Sequence, residues 1–180
     1  MNTQIVHRAH VVRRPGTAAG PVRLARTAPV FRQADAADAL AIHALVLDHV
    51  AEGHLLPRHL EDIQAHISRF VVTSIGGRVV ACAELAPLGA SVAEVRSLVV
   101  SVQARRRGVG QTLVNELMRR ARLAGDSKLC AFAHAPAYFV RMGFSIVPHT
   151  WLPEKIEKDC AGCAQFQRCG QFAVIRDLCQ

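Results

Sequence analysis

The chain has 180 residues, of which 51% are hydrophobic and 20% charged, and a net charge of +8. That length is one domain's worth with a real core, and the apolar share excludes a chain disordered throughout. Five of the positive charges, Arg8, Arg13, Arg14, Arg23 and Arg26, fall in residues 1–28, which hold no acid and leave the remainder at only +3.

Residues 1–28, with Pro15, Gly16, Gly20 and Pro21, read as a disordered arginine-rich arm. The arm has some transit-peptide character and lacks the apolar region of a secretory signal, so the expected location is cytoplasmic. Residues 29–180 form one domain. Val30 to Arg32 starts a strand. Asp38 is the expected N-cap of a helix striped by Leu40, Ile42, Leu45, Val46 and Val50 and ended by Gly53. His59 to Ile67 is a shorter helix. Arg69 to Ser74 and Val79 to Leu85 are strands joined by a hairpin at Gly76-Gly77. Val92 to Val100 is the next strand. A helix from Gln111 to Ala124 puts Leu113, Leu117, Ala121 and Ala124 on one side and stops at Gly125. Leu129 to Phe132 is a buried strand, Pro136 starts a helix bearing Tyr138 and Phe139, and Gln171 to Asp177 is a last strand. The order predicts a mixed α/β sheet, mostly antiparallel, with one strand–helix–strand crossover and helices on both faces. The stretch from His149 to Gly170 reads as a tail laid over the domain.

No run approaches the roughly 18 apolar residues of a membrane span, and no aromatic residue is interleaved with the arm's arginines to stack on bases. Neither membrane nor nucleic acid is an expected partner. Cys82 and Cys130 lie in apolar strands and read as small core residues. Cys160, Cys163 and Cys169, with Cys179 and His149 as further partners, could hold zinc, but only one C-x-x-C pair is present. Reduced packing thiols without metal are the favoured reading.

The run Arg105-Arg106-Arg107-Gly108-Val109-Gly110 carries most of the functional signal. It lies between an apolar strand and a helix start. The first helical N–H groups lack intrahelical partners, and the helix dipole adds positive charge there. Two glycines let backbone approach a pyrophosphate closely. In the preceding strand, period-two alternation puts Glu94, Arg96 and Leu98 on one face and Val95, Ser97 and Val99 on the other. A Glu and an Arg in such a strand are costly if buried and idle. They can pair with each other. In the functional reading, Arg96 clamps a substrate carboxylate and Glu94 accepts a proton from the substrate ammonium.

The spacing Arg/Gln-x-x-Gly-x-Gly/Ala resembles the acyl-CoA loop of the GCN5-related N-acetyltransferases. Arg32-Gln33-Ala34 running into Asp38, Ile42 and Leu45, and Phe139-Val140-Arg141-Met142-Gly143-Phe144, resemble that family's first strand and helix and its late helix–turn–strand. Leu55-Leu56-Pro57-Arg58, Ala93-Glu94-Val95-Arg96-Ser97-Leu98 and Lys158-Asp159-Cys160-Ala161-Gly162-Cys163 are similar to segments of the short bacterial N-acetylglutamate synthases. The resemblance covers Pro29 to Leu178. It implies an acetyl-CoA-dependent amino-acid N-acetyltransferase acting on L-glutamate, the entry to arginine biosynthesis. Acetyl-CoA would sit on the amides of Arg106 to Gly110, including Arg107 and Val109, with Arg105 at the start of the cradle. The pantetheine arm would run along Leu98, Val99 and Val100, and a backbone N–H near Val99 would face the thioester oxygen. Arg58 would be a second carboxylate ligand. The family's general-acid tyrosine stands four residues before Gly-Phe, where this chain has Phe139, and its Phe132-Ala133 replaces a Leu-Thr pair. Two alternatives stay open: the same fold acting on another amine or a protein terminus, and a non-catalytic metabolite- or redox-sensing module. Oligomeric state is not legible, and a homodimer is compatible.

Overall fold

The computed structural model describes residues 28–50, 52, 53 and 55–179, so the expected arm lies almost wholly outside the described residues. Seven strands form one sheet in the order β1-β2-β3-β4-β5-β7-β6. β1 (Val30–Gln33), β2 (Phe70–Ile75), β3 (Arg78–Pro87) and β4 (Val92–Val100) run antiparallel in sequence. At the hairpin, Gly76 and Gly77 both have positive φ (58° and 79°), the two-residue turn that matches strand twist. β4 then pairs parallel with β5 (Lys128–Ala133) through a crossover containing helix α3 (Val109–Ala124). β7 (Phe172–Asp177) lies between β5 and β6 (Ser145–Val147).

The two faces of the sheet are covered differently. On one, Val71, Ala83, Val95, Leu129 and Val174 pack under α3, whose stripe is Val109, Leu113, Val114, Leu117, Met118 and Ala121. Phe139 of α4 (Ala137–Val140) and Phe144 close this cluster. The expected Ala124 is exposed, directly before the capping Gly125. The other face carries two separate covers. α1 (Ala39–Val50) and α2 (Leu60–Ala65) bury Ile42, Leu45, Val46 and Ile63 on Phe70, Val72, Cys82 and Val99. Some way along the sheet, Leu152 of the tail, beside Val147 of β6, covers Val92, Cys130 and Ala173. The seam between these covers positions the site.

Three local details differ from expectation. The N-cap at the start of α1 is Asp35, which accepts from the N–H of Ala37 (2.9 Å) at a 3-10 turn leading into the helix. Asp38 is the reciprocal member of that capping box, accepting from Asp35 N–H (2.9 Å), and is buried against Arg32. Leu40 is 67% exposed, and Ala39 takes the buried position instead. β6, a strand of three residues, did not emerge from hydrophobic pattern alone.

Candidate functional site

β4 and β5 pair only from Val92–Lys128 to Val95–Ala131, after which the strands part. A cleft of about 1220 Å³ opens there, walled by β4 from Glu94 to Val100, by the Arg105–Gly110 loop, by His134 and Tyr138, and by the tail. The parting coincides with a bulge. Cys82 faces Val99 and Glu84 faces Arg96, so β4 carries one residue more than β3 across that step, and Ser97 sits at φ 49°.

The bulge corrects the expected alternation. Val92, Glu94 and Arg96 share the face of the N-terminal helices and tail, but Leu98 packs with Val95 and Val100 beneath α3. The extra residue at Ser97 resets the period, so Leu98 does not share a face with Arg96. The N–H proposed for Val99 also moves. Ser101 N–H bonds Val80 O (2.8 Å) on β3, and antiparallel alternation turns Val99 N–H toward β3 as well and Val100 N–H away from it.

At the loop end of the cleft, Arg106 (φ 62°) and Gly108 (φ 74°) are both left-handed, and Gly108 caps α3. Alternation of this kind turns successive amides to one side, a concavity for anions. The amides of Val109, Gly110 and Gln111 precede the first helical bond, Thr112 N–H to Gly108 O (3.0 Å). Arg106, Arg107 and Gly108 are exposed around them. Arg105 is turned elsewhere. Its guanidinium donates to Val100 O (3.1 Å), Glu52 (2.9 Å) and His49 Nε2 (2.8 Å), tying the end of α1 to the end of β4. His49 lies with Nδ1 2.9 Å from Leu45 O and Nε2 3.2 Å from Val100 O, so the ring joins the same two ends. The Tyr138 hydroxyl is buried, has no hydrogen-bond partner among the described residues, and lies 2.8 Å from where a Cβ on Gly110 would stand. Burial pushes its pKa up to about 12.

At the tail end of the cleft, Glu94 is 3% exposed and takes Arg96 Nε (2.7 Å) on one oxygen and Lys155 Nζ (2.7 Å) on the other. Arg96 Nη2 and Lys155 Nζ (2.8 Å) both reach Oδ2 of Asp159. The pairing of Glu94 with Arg96 is thus present, and it is extended by two tail residues that sequence reasoning missed. Arg58, expected as a second carboxylate ligand, is paired within the protein: it donates to Glu84 (2.8 Å), which is 1% exposed and stands across from Arg96 on β3. Glu84 was also missed, though it is the sole charged residue within the apolar run of β3 from Val79 to Ala86, which is a readable signal. Among the described residues no three His, Cys, Asp or Glu side chains converge to hold a metal, and His149 is occupied at 3.0 Å from Gln171 O. Cys82 and Cys130 are fully buried, as expected.

Residues 37–144 match the acetyltransferase (GNAT) family. An uncharacterized N-acetyltransferase of Chlorobaculum tepidum is 31% identical over 147 residues, 82% of this chain and 95% of that protein. The amino-acid acetyltransferase of Neisseria meningitidis serogroup A is 34% identical over 131 residues, 72% of this chain, which spans only 30% of that relative's length. Among solved structures, the N-acetylglutamate synthase of Neisseria gonorrhoeae with coenzyme A and N-acetyl-glutamate superimposes with a TM-score of 0.76 at 28% identity, over 87% of this chain and 36% of that one. A Mycobacterium tuberculosis protein in complex with CoA and NLQ gives 0.70 at 25% identity, over 83% and 99%. No helix among the described residues is long and apolar enough to cross a membrane. With a parted β4–β5 pair, an amide-lined loop at the head of α3 and a family match running through all of these elements, the chain belongs to the acetyltransferase (GNAT) family, as an N-acetyltransferase with acetyl-CoA as its co-substrate.

Proposed function

We propose that this protein transfers acetyl to the α-amine of an amino acid, with L-glutamate as the preferred acceptor. The observation that carries the reading is the grouping of Arg58, Arg96 and Lys155 with Glu84 and Glu94 at the acceptor end of the cleft. A substrate that is itself a carboxylate needs fixed cations in a partly dry site, and a guanidinium offers them in a planar fork. The relatives named amino-acid acetyltransferase support the same class.

In the mechanism that follows, the loop amides from Arg106 to Gly110 hold the pyrophosphate, and the β4 edge from Leu98 to Val100 holds the pantetheine arm. The Val100 amide or the bulge amide of Leu98, rather than that of Val99, polarises the thioester carbonyl as negative charge grows on its oxygen. Glu94 takes the ammonium proton, directly or through water, and the neutral amine attacks. The C–S bond then breaks, and the thiolate leaves and is protonated from solvent while the new amide nitrogen gives up its extra proton. Arg96 and Arg58 orient the acceptor's carboxylates.

Release of thiol from acetyl-CoA in the presence of each of the twenty amino acids tests this. L-glutamate should give the largest kcat/KM. Arg96→Ala should raise the glutamate KM roughly ten- to a hundredfold, the loss of one charge-assisted bond of ~1.5–3 kcal/mol, with the acetyl-CoA KM nearly unchanged. Turnover only with peptides or non-amino-acid amines would move the substrate class. No turnover with any amine would favour a binding module.

A further inference from the structure

Four charges at the acceptor end are arranged as a closed square. Two cations, Arg96 and Lys155, sit between two carboxylates, Glu94 and Asp159. The carboxylates are unlike. Glu94 lies in a central strand paired on both sides, opposite Ala86 and Cys130, and its side chain is 4% exposed. The Asp159 side chain is 35% exposed and belongs to a single π-helical turn, Ile156–Cys160, joined to the preceding helix α5 (Pro153–Lys155). Within that turn Glu157 and Lys158 are exposed, as are Ala161 and Gly162 just after it, and one side-chain bond, Lys158 Nζ to Leu88 O (2.5 Å), would have to be exchanged for water as the turn moves out. A carboxylate arriving from the cleft would meet Arg96 Nη2 and Lys155 Nζ already holding Asp159.

We propose that Arg96 and Lys155 form the acceptor's carboxylate subsite, that Asp159 is its internal occupant, and that acceptor binding displaces Asp159 together with the turn that bears it. This rests on the acidic-acceptor reading above. Glu94 is the fixed member: leaving it unpaired at its depth would be costly, and it still keeps Arg96 and Lys155 in place. Asp159 is the movable member, since outward rotation hydrates it. Only the unoccupied fraction of the protein binds acceptor, so the apparent affinity is reduced by that fraction. Asp159 is then a specificity-determining residue, because a neutral acceptor has nothing to exchange for it.

Two measurements test this on the full chain. Asp159→Asn keeps the shape and removes the competing charge. The glutamate KM should fall at least about threefold with the acetyl-CoA KM unchanged, and Asp159→Glu should return it toward the wild-type value. A residue that merely shapes the site would shift KM the other way. In the wild-type protein, the rate of N-ethylmaleimide labelling at Cys160, which follows Asp159 directly, should rise at least about threefold with glutarate, against exposed Cys169 as reference and equal added salt as control. Glutarate has the carboxylates without an amine, so this arm needs no turnover. A folded Asp159→Asn protein with unchanged or raised glutamate KM overturns the proposal. If that variant does not fold, unchanged Cys160 labelling with glutarate overturns it. Loss of amino-acid turnover in the wild-type protein would instead sink the acceptor reading while leaving the labelling result to stand alone.

Discussion

Gly110 and Tyr138 compete for one space. A Cβ at Gly110 would stand 2.8 Å from the Tyr138 hydroxyl and 3.4 Å from Val100 Cγ2, so the glycine is bare for its own protein before it is bare for a ligand. Gly110→Val should therefore raise the acetyl-CoA KM by at least about tenfold, or ~1.4 kcal/mol, by pushing Tyr138 into the cleft beside the loop amides. The cause is separable. In a Tyr138→Phe background the hydroxyl is gone, and Gly110→Ala should there cost several-fold less cofactor affinity than in the wild-type protein. Equal costs in the two backgrounds, measured by calorimetric titration with CoA, would mean that the glycine matters through the pyrophosphate alone.

Helix α1 is held at its head by a small polar assembly. Arg32 of β1 donates twice to Asp38 (2.5 and 2.7 Å), and Asp38 also accepts from Asp35 N–H. The hydrogen bond from Arg32, against the opposing effect of burial, holds the Asp38 carboxyl below its ordinary range. A lowered folded pKa stabilises the protein above the ordinary carboxylate range, and the contribution disappears as pH falls through the folded pKa. Asp38→Asn should cost about 1–2 kcal/mol near neutral pH, and the gap to wild type in denaturant midpoint should close in acid. A gap independent of pH would assign the effect to shape instead of charge. Elements of this kind were legible where hydrophobic period and punctuation agree, as in α3 with Gly108 and Gly125, or the Gly76-Gly77 hairpin. The bulge was not, because serine has no marked preference for the positive φ that Ser97 adopts. β6 has three residues, two of them exposed, too little for a periodic signal. Lys155 and Asp159 meet partners 61 and 63 positions earlier, and such contacts leave no local trace. The loop of Arg105 to Gly110 was readable, yet the direction of the Arg105 side chain was not, since it depends on where α1 ends.

At the scale of the whole molecule, one face of the sheet is covered continuously by α3 and the other by two pieces drawn from opposite ends of the described chain. The cleft opens at the junction between those pieces, with Arg58 reaching it from one and Lys155 and Asp159 from the other. The strand order carries a further consequence for biosynthesis. β7 is the last described strand in the chain, yet it is inserted between β5 and β6, and it supplies buried Ala173 and Val174. While the ribosome still holds those residues, β5 presents a naked edge with Leu129, Cys130 and Ala131 beside it, and the nascent sheet is open at its middle. Ribosome-bound chains ending at Gly170 should be digested readily by a dilute protease. Chains carrying an added flexible linker long enough to clear residue 179 from the exit tunnel should resist it by an order of magnitude or more, and equal digestion of the two would show that the β1–β5 part closes on its own. β7 is thus the segment that shuts the sheet, and until residues 172–177 have emerged the edge of β5 that they pair with stays open.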